Sequence, residues 1–114
     1  MVIVEGAHLL CAPDVAALFD LKIFLHAPDD VRFIRRLLRD QTERGRTPRS
    51  VIDQYLGTVR PAHNRLIGPS RAHADVVIED VTTTVDWPDM AQIARLAAPL
   101  LAHPVLSAVR GRGT

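Results

Sequence analysis

The sequence predicts an α/β domain in which three short parallel strands are surrounded by helices. Three observations lead there. Val2-Ile3-Val4 opens the chain as a β-branched run of the kind that fits a strand buried on both faces, and LKIFLH and DVVI are two further short apolar runs. Between these runs the apolar spacing changes from a strand-like to a helical period, with proline and aspartate or threonine where helices should begin. The chain has 114 residues and 47% hydrophobic content, enough for one small domain with a core and hardly for two.

The first strand is expected at Val2–Glu5, with Gly6 allowing a sharp exit. Ligands of open α/β sheets collect beyond the carboxyl ends of the strands, so Glu5 at a strand tip is a candidate for substrate or metal contact, against the plainer role of capping a nearby helix. Ala12-Pro13-Asp14 opens a short helix through Leu18 and Phe19, and Leu21–His26 is the second strand. Pro28 and the pair Asp29, Asp30 then start a helix that runs to about Glu43.

That helix and the loop after it, Val31 to Arg46, hold Arg32, Arg35, Arg36, Arg39, Arg44 and Arg46. At 3.6 residues per turn the first four fall within an arc of roughly 100°, and Val31, Ile34 and Leu38 lie opposite, as the expected core face. Four like-charge pairs at i,i+3 and i,i+4 cost roughly 1–2 kcal/mol together unless an anion faces them. The anion is either internal, with Asp40 reaching Arg36 and Asp29 reaching Arg32, or an external phosphate, whose oxygens suit planar guanidiniums. Gly45 frees the backbone between Arg44 and Arg46 where the helix should end.

Thr47 and Pro48 start the next helix, carrying Val51, Ile52, Tyr55, Leu56 and Val59. Pro61 kinks or restarts it, Gly68-Pro69 ends it, and Asp75–Ile78 is the third strand. Thr82-Thr83-Thr84 is a polar connector. A final amphipathic helix is expected over Pro88–Ala98, interrupted by Pro99 and Pro104, before a frayed tail.

Net charge is +1, so the arginine density is local and a general nucleic-acid binder is not expected. Cys11 is the one cysteine, which excludes an internal disulfide and suggests a reducing compartment. The start MVIVEGAHLL has no basic leader, and no apolar stretch approaches the roughly 20 residues that cross a bilayer. A cytoplasmic protein that does not engage membranes is the expectation.

The strand ending in Glu5-Gly6, then FDLKIFLHAPDDVRFIRRLLRDQTERGR, then SVIDQYLGTVRPAHNRLIGPSRAHADVVI, resembles the C-terminal half of uridine kinases, in the uridine kinase and phosphoribulokinase group of P-loop enzymes. Gln54-Tyr55 and Val59-Arg60-Pro61 tilt the likeness toward uridine kinase over a phosphoribulokinase-like or pantothenate-kinase-like fragment. The resemblance implies transfer of the ATP γ-phosphoryl group to the 5′-hydroxyl of uridine or cytidine with Mg²⁺. It implies Glu5 at the Mg²⁺ side, Arg36 and Gln54 at the nucleoside, and Arg39, Arg44 and Arg46 in a lid over the phosphates.

The departures are as specific. No G-x-x-x-x-G-K-[ST] motif occurs in the sequence, so the phosphate cradle, its lysine and its Mg²⁺-binding hydroxyl are absent. The family's catalytic aspartate precedes the equivalent of Val2, and its P-loop strand lies between the equivalents of Val2–Glu5 and Leu21–His26. The resemblance therefore implies a truncated kinase-like sheet, spanning residues 1–80, with 81–114 as connector and helical segment. It implies no turnover by this chain alone, and as partners ATP, a pyrimidine nucleoside, an N-terminal kinase half or further copies of the chain. A non-catalytic nucleotide-binding or interaction module is the alternative from another class.

Overall fold

The computed structural model describes residues 1–80 and 89–112. The expected connector Thr82–Thr84, and Pro88 as a helix start, lie outside the described residues. Helix α1 is Pro13–Ala16, strand β1 is Ile23–His26, and helix α2 is Asp29–Glu43. Helix α3, Pro48–Gln54, continues through a π-helical turn at Tyr55–Val59, the α-helical turn α4 at Arg60–Ala62, and a second π-helical turn at His63–Ile67. A 3₁₀ turn at Pro69–His73 leads into strand β2, Val76–Glu79, and the chain closes with α5, Met90–Leu101, and α6, Pro104–Arg112.

The described sheet has two parallel strands, in register from Ile23 opposite Val76 to His26 opposite Glu79. Its ends are pinned. Asp75 N donates to Lys22 O at 2.7 Å and Lys22 N to the Asp75 carboxylate at 2.8 Å, while Asp80 N donates to His26 O at 2.7 Å. The expected first strand does not form: residues 1–6 belong to no helix or strand, and Val2 and Ile3 are 89% and 81% exposed. A strand exists only where a neighbour takes up its amides and carbonyls. The strand that the resemblance places between residues 2–5 and β1 has no counterpart in the sequence, so the apolar run has no ladder to join.

Helix α2 begins and ends where local signals put it. Pro28 is its N-cap, Asp29 and Asp30 fill its first turn, and Gly45 sits just beyond it at φ +62°, a left-handed conformation that glycine adopts without steric cost. The covered face differs from the expected one. Of the expected face Val31 is half-buried, but Ile34 and Leu38 are exposed, whereas Arg32, Arg35 and Arg36 are half-buried. The covered stripe is Phe33, Leu37 and Asp40, which lie within about 60° of one another on the helix. It faces the helical run that α3 begins: Phe33 and Tyr55, the first residue of the π-helical turn after α3, form a tilted pair with centroids 4.8 Å apart. An apolar stripe is buried only where a second surface covers it, and Ile34 and Leu38 are left 40% and 42% exposed.

Thr47 caps α3, its hydroxyl accepting from Ser50 N at 3.1 Å, with Pro48 in the first turn. Helical turns continue across Pro61, with a π-helical turn on either side of it. Pro99 likewise does not end its helix. Helix α5 starts on an Asp89–Gln92 capping box and continues to Leu101, and α6 begins at Pro104. Residues 110–112, expected as frayed tail, are helical.

The expected core is thin. Among the described residues the buried hydrophobics are Ala16, Ala27 and Val51. The radius of gyration is 16.3 Å, against roughly 13 Å for a compact domain of this length. Large apolar side chains, Leu25 and Val4 among them, remain in solvent.

Candidate functional site

Five of the six sequence-predicted site residues lie on α2, the loop after it and α3, and the geometry sorts them. Arg32 is bonded to Asp29 and, through Nε, to Ala27 O. Arg35 reaches across to the end of β2, its Nη1 2.7 Å from the Asp80 carboxylate. The internal carboxylates thus offset part of the like-charge repulsion along the helix, as the ion-pair alternative holds. The expected Asp40–Arg36 pair is not the one formed.

Asp40 turns toward the helix terminus, where it is fully buried. Its Oδ1 accepts from Arg39 Nε at 3.2 Å, with Arg39 Nη2 also at 3.2 Å and Arg44 Nη1 at 3.8 Å. Arg46 Nη1 lies 3.9 Å from Oδ2. The left-handed turn at Gly45 brings this about: Arg46 N donates to Asp40 O at 3.0 Å, folding the loop back over the end of α2. The three arginines assigned to the lid are therefore gathered round one carboxylate.

Their exposure separates them. The side chains of Arg39 and Arg44 are 43% and 60% exposed, so their outer edges are open to a ligand. Arg46 is committed to α3, bonding Ser50 Oγ at 2.7 Å, Ser50 O at 3.3 Å and the Gln54 side-chain oxygen. Gln54, assigned to the nucleoside, is thus joined directly to a lid arginine. Arg36 is half-buried one turn before Asp40 on α2. Glu5 is not brought to this cluster; it lies exposed on the N-terminal segment. Among the described residues no group of three or more His, Cys, Asp or Glu could hold a metal ion.

Two groupings were not anticipated from the sequence. One is the Asp40 hub, signalled by its i,i+4 spacing to Arg44 but read toward Arg36. The other lies at the carboxyl end of the sheet, where His26 Nδ1 donates to Glu79 Oε2 at 2.7 Å and Arg71 Nη2 to Glu79 Oε1 at 2.8 Å. These bonds hold the Glu79 carboxyl below its ordinary value, the His26 hydrogen bond contributing most. His63 titrates below the usual 6.5, chiefly through desolvation and then through the charge of Arg32. The β1–β2 register joins His26 to Glu79, and no local signal could reveal it.

Residues 1–86 match the phosphoribulokinase / uridine kinase family. The chain belongs to that family. It is similar to the uridine kinase of Clostridium novyi (strain NT), 49% identical over 80 residues that make up 70% of this chain and 38% of that protein. The uridine kinases of Lactobacillus helveticus (strain DPC 4571) and Clostridium botulinum (strain Okra / Type B1) are 46% and 52% identical over the same number of residues, 38% and 39% of their lengths. This phosphoribulokinase / uridine kinase family chain thus spans less than two-fifths of the length of those relatives. Its two-stranded parallel sheet with flanking helices is consistent with part of a P-loop kinase-like fold.

Proposed function

We propose that this chain is the lid-bearing part of a pyrimidine nucleoside kinase, binding ATP phosphates through Arg39 and Arg44, with Arg46 bracing the loop that carries them. The single observation behind this is the arginine cluster round Asp40, whose surplus positive charge faces solvent on Arg39 and Arg44. Phosphoryl transfer depends on positioning and on neutralising charge that spreads over the phosphate oxygens. Guanidiniums held at the end of a helix supply the neutralising part, and the neighbouring Arg36 and Gln54 would meet the nucleoside. ATP would supply the transferred phosphoryl group.

The chain by itself supplies no positioning for that group. Orientation of reactants accounts for roughly 7–11 kcal/mol of barrier lowering in well-arranged reactions, and the sequence contains no phosphate-cradling loop to provide it. The reading therefore includes a complementary P-loop segment as partner, meeting the chain along its open apolar surface at Val2, Ile3, Val4 and Leu25. The test is ATP-dependent uridine phosphorylation by the 114-residue chain, alone and mixed with a P-loop half of a uridine kinase. No product alone and product with the mixture is expected, with Arg39→Ala lowering the restored rate. Uridine-dependent ADP formation by the chain alone would overturn the reading.

A further inference from the structure

Asp40 stands in a place where a carboxylate is hard to keep. It is fully enclosed, and taking such a group out of water costs several kcal/mol unless cations and hydrogen bonds replace the solvent. It also lies near the carboxyl end of α2, the negative end of the helix dipole, where an acidic side chain is unfavourable and caps nothing. Its Oδ2 is buried without a hydrogen-bond partner among the described residues. What holds it is the set of guanidiniums from Arg39, Arg44 and Arg46, between 3.2 and 3.9 Å away. The dependence runs both ways. Three guanidiniums converging on one point repel one another, and without a central anion the long, half-exposed side chains of Arg39 and Arg44 would spread apart.

We infer that Asp40 is the positioning residue of the anion site: its buried carboxylate takes the inner edges of Arg39 and Arg44 so that their outer edges converge on an incoming phosphate. Arg39 places both Nε and Nη2 against Oδ1, which leaves its Nη1 hydrogens for a ligand. One carboxylate against three guanidiniums leaves a surplus of two positive charges, which suits the charge of a phosphate group. This role rests on the phosphate reading above and adds to it a residue that never touches the ligand.

The sign of one substitution separates positioning from simple charge balance. Asp40→Asn preserves shape and makes the cluster more positive, so a mere counter-ion would give tighter anion binding on replacement. A positioning residue gives weaker binding. Pyrophosphate titrated into the 114-residue chain at low salt is expected to bind about tenfold more weakly to Asp40→Asn, the loss of one well-placed charged hydrogen bond. In an Arg39→Ala background, where Arg44 still binds pyrophosphate weakly, Asp40→Asn should cost less than it does in the unsubstituted chain, a coupling that a general structural role would not produce. Unchanged or tighter binding by Asp40→Asn, where Arg39→Ala with Arg44→Ala abolishes binding, overturns the positioning role alone. Unchanged binding on losing both arginines, or no binding by the unsubstituted chain, overturns the phosphate reading and this role with it.

If Asp40→Asn does not fold, the arginine Nε–H signals of the unsubstituted chain decide. Saturation with pyrophosphate should shift the Arg39 and Arg44 signals while Arg39 Nε–H stays protected from exchange by its bond to Asp40. Loss of that protection would show that phosphate displaces Asp40, and the positioning role would fall.

Discussion

Replacing Arg46 by alanine should destabilise the fold, whereas replacing Arg44 should scarcely matter. Both are lid residues by resemblance, yet Arg46 spans two helices. It bonds Ser50 Oγ at 2.7 Å and the Gln54 side chain, and its Nη1 lies 3.9 Å from the unbonded Oδ2 of Asp40. A charge-assisted hydrogen bond contributes roughly 1.5–3 kcal/mol, and stripping one cation from a buried carboxylate adds to the loss. Because Arg39 and Arg44 stay beside Oδ1, the sum is best placed at about 2–4 kcal/mol. At about 4 °C per kcal/mol for a chain of this size, the melting temperature should fall by roughly 8–16 °C. Arg44 is 60% exposed and 3.8 Å from the buried Asp40 Oδ1, which Arg39 still pairs at 3.2 Å, so its loss should cost only about 0–1 kcal/mol. Thermal unfolding followed by far-ultraviolet circular dichroism compares the two directly. Equal shifts for Arg46→Ala and Arg44→Ala would refute the assignment of Arg46 as a clamp between α2 and α3.

Gly45→Ala should lower stability by about 1–2 kcal/mol, since a Cβ in the left-handed region is strained even where space is open; φ there is +62° with nothing within 4 Å. A urea midpoint equal to that of the unsubstituted chain would contradict the strained turn. Stability should also fall as pH drops below 6.5, because His63 has its folded pKa lowered: the stabilisation is full above 6.5 and is lost as pH falls through the folded value. His63→Gln should flatten that limb of a stability-versus-pH profile, and an unaltered slope would count against burial of the neutral ring. Glu79, also lowered, gives the same sign in a more acidic window, stabilising above 4.5 and ceasing to do so as pH falls through its folded value; Glu79→Gln should remove that acid limb in the same urea series. Leu25→Lys, at a 64% exposed position on β1, should reduce self-association measured by sedimentation velocity. Identical sedimentation of the two chains over a concentration series would show that this surface does not drive association.

Features that depend on a few neighbouring residues could be read from the sequence. The start of α2 at Pro28 and the aspartates, its stop at Gly45, the Thr47 cap and the core of the two paired strands all follow from side chains acting on backbone within one helical turn or one short run. The family was legible for a related reason: it rests on ordered motifs along one stretch of chain. Surfaces that must find a partner were not legible. Val2-Ile3-Val4 has every local property of a strand, yet its backbone groups need a neighbouring strand that these residues do not supply. Ile34 and Leu38 form an apolar stripe by periodicity, but the helical run that begins with α3 meets the Phe33 side, about 110° around the helix, and burial follows that contact. Asp40 had two arginines within reach at i,i+4, Arg36 behind it and Arg44 ahead. Only the turn at Gly45, by folding Arg46 back over the helix end and closing Asp40 from water, determined which way that carboxylate faces.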